Sequence, residues 1–275
     1  MSRKLFCQIS PLTYKISVEK NIAMRKAADM LKGEHFAAQK SAEPLPALIY
    51  SHKSLIRRRL GNVDMRLQNN KAVNLSIAAP KVNGILIKPG ETFSFWRLVG
   101  RDSPKKGYLE GLTIEGGNVS SGIGGGMCQF TNLIHWLVLH SELTIAEHHH
   151  HDGFDLFPDF GRQIPFGTGT SIVYNYLDYR VRNNTDRTYQ LLVSTDGEYL
   201  CGELRAEKPQ KLKYHIYADN ERFVRENGDV FRCGRVVRKA VDKATGHIIF
   251  QEIIRVNHAK VMYSTDGISD IQISS

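Results

Sequence analysis

The chain has 275 residues, 41% of them hydrophobic and 24% charged, and a formal net charge of +9. That length fits one large domain or a core domain with a smaller appendage, and the composition is that of an ordinary soluble globular protein. No run of eighteen apolar residues marks a membrane span, and MSRKLFCQISPLTYKISVEK has no apolar stretch suited to a secretory signal, so a cytoplasmic placement is expected.

Four cysteines, Cys7, Cys128, Cys201 and Cys233, stand far apart with no C-x-x-C, which argues against a zinc ribbon or a redox dithiol and fits reduced thiols. Charge is unevenly placed. Residues 1–60 carry twelve Lys and Arg against four Asp and Glu, or +8 of the total. A basic N-terminal third suits an anionic polymer or a membrane surface, and the simpler reading is a solvated basic face. No aromatic-interleaved RNA motif or helix-turn-helix signature supports nucleic acid.

In chain order, Ser17 is expected to cap a helix running to about Leu31, with Gly33 to stop it. Arg57, Arg58 and Arg59 read as a solvated turn. Asn74 to Ala79 is a short apolar segment ended by Pro80, and Ile85 to Ile87 is β-prone. Pro89-Gly90 signals a type II turn, after which Phe93, Phe95, Trp96 and Leu98 form an aromatic segment closed by Gly100.

Six glycines, Gly116, Gly117, Gly122, Gly124, Gly125 and Gly126, fall within eleven residues and predict a loop shaped for a close contact. A phosphate-binding reading fails, because Ile123 stands where Walker A needs lysine and no glycine occupies 127 for a dinucleotide fingerprint. Beyond the loop, Phe130, Leu133, Ile134, Leu137 and Val138 recur at helical spacing, with Trp136 and Leu139 widening the apolar face. A helix starting near Met127 places Cys128 in its first turn, where unpaired N–H groups favour a thiolate. The competing reading is a cysteine that only packs.

Leu143 to His151 alternates as a strand would, with Leu143, Ile145, Glu147, His149 and His151 on one face, and Ser171 to Val181 reads as a second β run. From Asn184 onward, β runs alternate with Asp196-Gly197, Asn227-Gly228 and Thr245-Gly246, which are hairpin signals. The expected fold is α+β: a central buried helix carrying Cys128, packed on a mainly antiparallel sheet, with a β-rich C-terminal part.

A cysteine at a helix start, histidines after the next strand and polar residues beyond follow the chain order of papain-like and transglutaminase-like enzymes. Either His149 or His151 would partner Cys128, with Asp152, Asp155, Asn175 or Asp178 orienting the imidazole. Backbone N–H groups of residues 126–129, or the Gln129 amide, would stabilise an oxyanion. Alternate histidines with Cys128 could instead ligate zinc or nickel, but a histidine loop with incidental affinity is the simpler reading; neither a metal nor a cofactor is expected.

Four segments together resemble the VanW family: Ile87-Lys88-Pro89-Gly90-Glu91-Thr92-Phe93-Ser94-Phe95-Trp96; Gly124-Gly125-Gly126-Met127-Cys128-Gln129 with Asn132-Leu133; Leu143-Thr144-Ile145-Ala146-Glu147 leading to His151; and Val181-Arg182-Asn183 with Thr185. The resemblance is strong over residues 70–205. It implies a link to glycopeptide resistance or cell-wall metabolism, keeps Cys128 and Gln129, and selects His151 over His149. Many relatives carry an Asp in an Asp-Ala-Thr segment where this chain reads Thr168-Gly169-Thr170-Ser171, so another residue orients the histidine here or the activity is absent.

The resulting expectation is a cysteine-dependent acyl-transfer or amide-cleaving enzyme acting on peptidoglycan peptides or precursors. Cys128, His151, Gln129 and Asp152 form its catalytic set; Gly124, Gly125, Gly126, Glu91 and Ser94 bind substrate. The alternative is a non-catalytic protein that binds a cell-wall fragment or a partner. Residues 1–69 are expected as a basic helical region, 70–205 as the core and 206–275 as a β-rich appendage.

Overall fold

The computed structural model describes residues 5–58, 64–115, 117–151, 153–159, 163–174, 176–268 and 270–273. Helix α1 (Pro11–Leu31) begins two turns before the predicted start. Ser10 is its cap: the Ser10 hydroxyl accepts from the Thr13 N–H, Thr13 Oγ1 accepts from the Ser10 N–H, and Pro11 fills the first helical position, where no N–H is needed. Ser17 lies inside the helix and donates to the Thr13 carbonyl. Gly33, at φ +61°, ends it as expected.

Strand β1 (Ala47–Leu55) is followed by α2 (Met65–Val82), a full helix where the sequence suggested only a short apolar segment. Its buried face includes Gln68, Lys71 and Asn74 beside Leu75, Ala78 and Val82, so polar residues interrupt the apolar periodicity. Asn74 justifies its burial by bonding the Leu109 and Gly125 carbonyls and accepting from the Leu109 N–H. Pro80 is tolerated in the last turn. The expected boundary at 69/70 falls within α2.

Next come β2 (Ile85–Ile87), the turn at Gly90 with φ +81°, β3 (Thr92–Ser94) and the short α3 (Phe95–Val99). Strands β4 (Glu110–Glu115) and β5 (Asn118–Ile123) form a hairpin. Much of the predicted glycine loop is therefore strand, and only residues 124–126 turn the chain into α4 (Met127–Leu139). Gly116 lies outside the described residues. Gly124 and Gly126 adopt φ +74° and +95°, but the contacts that require glycine are internal. A Cβ on Gly124 would meet Asp102, one on Gly125 the Gly111 backbone, and one on Gly126 the aliphatic stem of Lys71.

The strand expected over residues 143–151 ends at Glu147 as β6 (Thr144–Glu147), after a register shift against β8 (Arg180–Arg182). The four histidines therefore do not alternate along a strand. The expected β run at 171–181 is not one strand: the Val173 and Leu177 N–H groups each donate to the other's carbonyl. The two-residue β7 (Phe154–Asp155) lies between these segments.

Strands β9 (Tyr189–Thr195), β10 (Tyr199–Ala206), β11 (Leu212–Glu226), β12 (Asp229–Asp242) and β13 (Ile248–Val261) match the predicted hairpin series, and β14 (Ile271–Ile273) completes the chain. Asn227 and Gly228, at φ +50° and +87°, give the paired positive angles of a type I′ turn.

The architecture is α+β, with sheets ordered β1-β10-β9-β2, β14-β11-β12-β13-β7 and β3-β8-β6 beside the β4-β5 hairpin. The strands of the first and third pair antiparallel; β14 and β7 join the second by short parallel pairings, and Phe36 makes a single parallel bridge to Thr92 of β3. Helix α4 buries ten of its thirteen residues. It packs on β1 and β10, where Gly202 lets Leu133 and Leu137 approach to 2.9 Å of the space a Cβ would fill. Full burial of each such leucine contributes about 1.5–3 kcal/mol.

The C-terminal sheet is tied to α4 by Arg238, whose Nε donates to the Leu139 carbonyl at 2.9 Å while its guanidinium lies over the Tyr214 ring. A cation at a helix C-terminus complements the unpaired carbonyls. At the other side of the core, Arg180 binds both Asp29 oxygens at 2.6 and 2.8 Å, and Arg25 pairs with Glu147, so α1 is anchored through its charged face. Among the described residues, no helix is long and apolar enough to cross a membrane.

Candidate functional site

The turn at residues 124–126 delivers Cys128 to the first turn of α4. Its position is fixed from below by the Asn74 bond to the Gly125 carbonyl and from the side by Gln129, whose amide donates to Ser54 Oγ and the Leu55 carbonyl, both at 2.9 Å. Gln129 thus joins α4 to β1, and its side-chain donors are committed to that strand.

Cys128 Sγ lies 3.8 Å from His151 Nε2. This distance is within the looser reach of a nucleophile and base before substrate binds. The pair lies in a groove of about 1080 Å³, walled by Val18 and Tyr14 of α1, Leu112 and Ile123 of the hairpin, and Trp96 and Ile172. Gly124, Gly125 and Gly126 also line it. Burial pushes the Cys128 thiol up from its ordinary value, opposed by the Ile172 and Cys128 backbone N–H groups directed at the sulfur. Burial outweighs them, so the sulfur is a neutral thiol until a base removes its proton.

The other sequence-selected residues are placed elsewhere. Glu91 accepts from the Lys88 N–H and shapes the Pro89-Gly90 turn. Ser94 is buried, donates to Asp178 and caps α3 by accepting from the Arg97 N–H. Neither lines the groove. Asp178 accepts from Ser94, the Trp96 N–H and Arg180, while Asp155 accepts from Arg232 and Tyr263 at the C-terminal sheet. These bonds hold Asp178 at the start of α3 and Asp155 against the C-terminal sheet. Asp152 and Asn175 lie outside the described residues. His149 bonds Glu147 at 2.9 Å.

At 168–171, the Thr170 hydroxyl and N–H both donate to Asn132 Oδ1, and Ser171 N–H donates to the His149 carbonyl. This segment therefore braces the first half of α4 against the histidine-bearing chain. Gly169 has room for a Cβ, the nearest atom being Asn132 Oδ1 at 3.9 Å.

Sequence reasoning missed Lys71. It is 6% exposed, its stem packs beneath Gly126, and burial, with the Arg58 and Arg57 charges, lowers its amine to about 7. Its only signal was a lysine at a position spaced three from both Gln68 and Asn74, which reads as a polar face until the helix is seen to be buried. Another histidine group, His135 with His148 and His150, lies along the C-terminal half of α4, with His135 two turns beyond Cys128. The His135 and His148 ring centroids are 4.1 Å apart, His148 and His150 4.0 Å, and His135 Nδ1 meets Tyr179 Oη at 3.0 Å.

Comparison with known proteins gives a consistent assignment. Residues 70–205 match the model of the family described as VanW like protein. The chain is 35% identical over 272 residues to the Vancomycin B-type resistance protein VanW of Enterococcus faecalis, across 99% of this chain and 98% of that protein. It is 28% identical over 117 residues to the Uncharacterized protein YoaR of Bacillus subtilis, covering 42% of this chain and 36% of the relative. No solved structure matches significantly. The match to the Enterococcus faecalis protein across nearly the whole of both chains extends beyond the core segment, and on that basis this chain belongs to the VanW family.

Proposed function

We propose that the protein is a cysteine-dependent acyl-transfer or amide-cleaving enzyme of the cell wall, acting as an accessory to glycopeptide resistance on peptidoglycan peptides or their precursors. The observation that carries this reading is the 3.8 Å approach of Cys128 Sγ to His151 Nε2 within a substrate-sized groove. The link to resistance rests on the likeness to the Enterococcus faecalis protein. A cytoplasmic location would favour precursors over mature wall.

In the proposed reaction, His151 Nε2 takes the thiol proton as sulfur attacks the substrate carbonyl carbon. The C–N bond then breaks, and the amine leaves with the proton returned by His151. Water or a second amine next attacks the thioester, releases the acyl group and restores the thiol. The largely apolar walls strengthen electrostatic interactions at the reacting atoms. The Ile172 N–H already directed at the sulfur favours the thiolate as it forms. Gln129 acts here as a positioning residue.

The test is incubation with defined stem peptides and lipid-linked precursors, followed by mass spectrometry. Release or exchange of an amine that Cys128→Ala abolishes supports the proposal; equal product from that variant contradicts it. A second reading, a binding protein for a cell-wall fragment, is favoured by burial that keeps Cys128 protonated. Stoichiometric capture of the same peptides without turnover, unaffected by Cys128→Ala, would select it.

A further inference from the structure

A second convergence of reactive side chains lies on the C-terminal sheet. Cys233 of β12 pairs directly with His258 of β13, and Arg222 of β11 faces Cys233 from the other side. Residues two apart on a strand share a face, so Val224 and Glu226 lie on the same face as Cys233 and His258. One ligand atom from each of Glu226, Cys233 and His258 lies within 4.8 Å of the others. Glu226 Oε2 and His258 Nε2 are 2.9 Å apart, and Cys233 is buried beneath them. The three border a hollow of about 590 Å³ that Gln272 of β14 also lines.

The strands are shaped at this point. The β11–β12 register shifts between Asp219 and Arg222, where Asn220 takes φ +53°. Gly234, next to Cys233, has φ +152°, and a Cβ there would lie 2.9 Å from Glu221 Cα. A bulge re-aims the side chains that follow it. The neighbouring cations have partners of their own: Arg222 donates to the Asn220 carbonyl, Arg235 pairs with Asp219, and Lys260 with Asp229.

We infer that Glu226, Cys233 and His258 form a binding site for a divalent cation of the zinc class, with a fourth coordination position open to water or Gln272. Sulfur, imidazole nitrogen and carboxylate oxygen are the donors zinc takes, whereas magnesium and calcium call for oxygen alone. Bonds of about 2.0–2.3 Å hold tetrahedral donors about 3.3–3.8 Å apart, so closure needs only small rotations of the accessible His258 and Glu226 side chains. On binding, the Cys233 thiol releases its proton to solvent. Thiolate and carboxylate then balance the two positive charges, and the ion ties β11, β12 and β13 together. The site is independent of Cys128 and its chemistry.

Cobalt(II) titration of the reduced, metal-stripped full-length protein tests this. The expected result is a thiolate-to-cobalt absorption band at one equivalent, displaced by zinc, retained in Cys128→Ser and lost in Cys233→Ser. His258→Gln and Glu226→Gln, at more accessible positions, should each weaken zinc binding at least tenfold while the circular dichroism spectrum is unchanged. Absence of the band from the wild type, its persistence in Cys233→Ser, or zinc binding unaffected by both accessible variants would overturn the assignment. Zinc held by the histidine run alone would appear as binding without the thiolate band and would overturn it equally.

Discussion

The two ends of α4 use similar side chains for different ends. At the N-terminus, Cys128 and His151 meet in a groove whose walls are largely apolar. Beside the C-terminal half, His135, His148 and His150 stack in a crevice of about 510 Å³ of mixed lining, to which Glu142, Arg238, Leu143 and Ile253 also contribute. Of the four consecutive histidines after β6, His148 and His150 thus line the crevice, His151 lines the groove, and His149 bonds Glu147. Burial, with charge from His148, His150 and Arg238, lowers His135 well below its ordinary value, so it is a neutral, packed ring. The groove end brings a thiol and an imidazole together beside open space, and the crevice end packs its rings against one another.

The largest effects should fall at the groove end. If the proposed mechanism holds, Cys128→Ala abolishes turnover of stem peptides, and His151→Ala lowers kcat about 10²–10⁴-fold, the usual contribution of a general base. Equal kcat loss from replacing His148 would erase the distinction between the two ends. Gly125→Ala sets a Cβ 2.2 Å from the Gly111 backbone, and chemical denaturation should register a loss of about 3 kcal/mol.

At the crevice end, acid is the probe. Burial first, then the Arg238, His52 and His215 charges, lower His140 to about 4, despite the opposing bond to the Trp136 carbonyl. The unfolded chain therefore takes up a proton that the folded chain resists. This contribution to stability is present above the unfolded value of 6.5 and is lost as pH falls toward 4, on the order of 2–3 kcal/mol in total. His140→Gln should flatten the pH dependence of denaturation over that interval.

A smaller effect returns to the groove end. Lys71, lowered to about 7, makes folding less favourable as pH falls from 10.5 to 7, because the unfolded amine binds a proton more readily. Lys71→Met should stabilise the fold by about 2 kcal/mol at pH 6, with the gain shrinking toward pH 10. An unchanged melting temperature across that range would show that the amine reaches solvent.

How much was legible depended on whether local chemistry carried the signal. The Asn227-Gly228 hairpin, the Pro89-Gly90 turn and the start of α4 followed from residues that permit few backbone conformations. Helix α2 was hidden because Gln68, Lys71 and Asn74 occupy its buried face, where only tertiary partners satisfy them. The helix signal at Ser10-Pro11 was present in the capping pattern, and Ser17 was a competing match. Glycine density predicted a close contact, but not that the contact was with Asp102, Gly111 and Lys71 rather than a ligand. The family motif brought Cys128 and His151 forward together, whereas strand parity alone left His149 equally eligible.

The most direct test of a coupled Cys128–His151 pair is the pH dependence of Cys128 alkylation by a small uncharged reagent, measured by mass spectrometry in wild type and His151→Ala. The account predicts that the wild type reacts in the neutral range because His151 assists removal of the thiol proton. The variant should react only as the half-buried thiol ionises on its own, above its ordinary value of 9.0. Superimposable profiles in the two proteins would contradict the pair and leave Cys128 as a packed thiol beside a histidine.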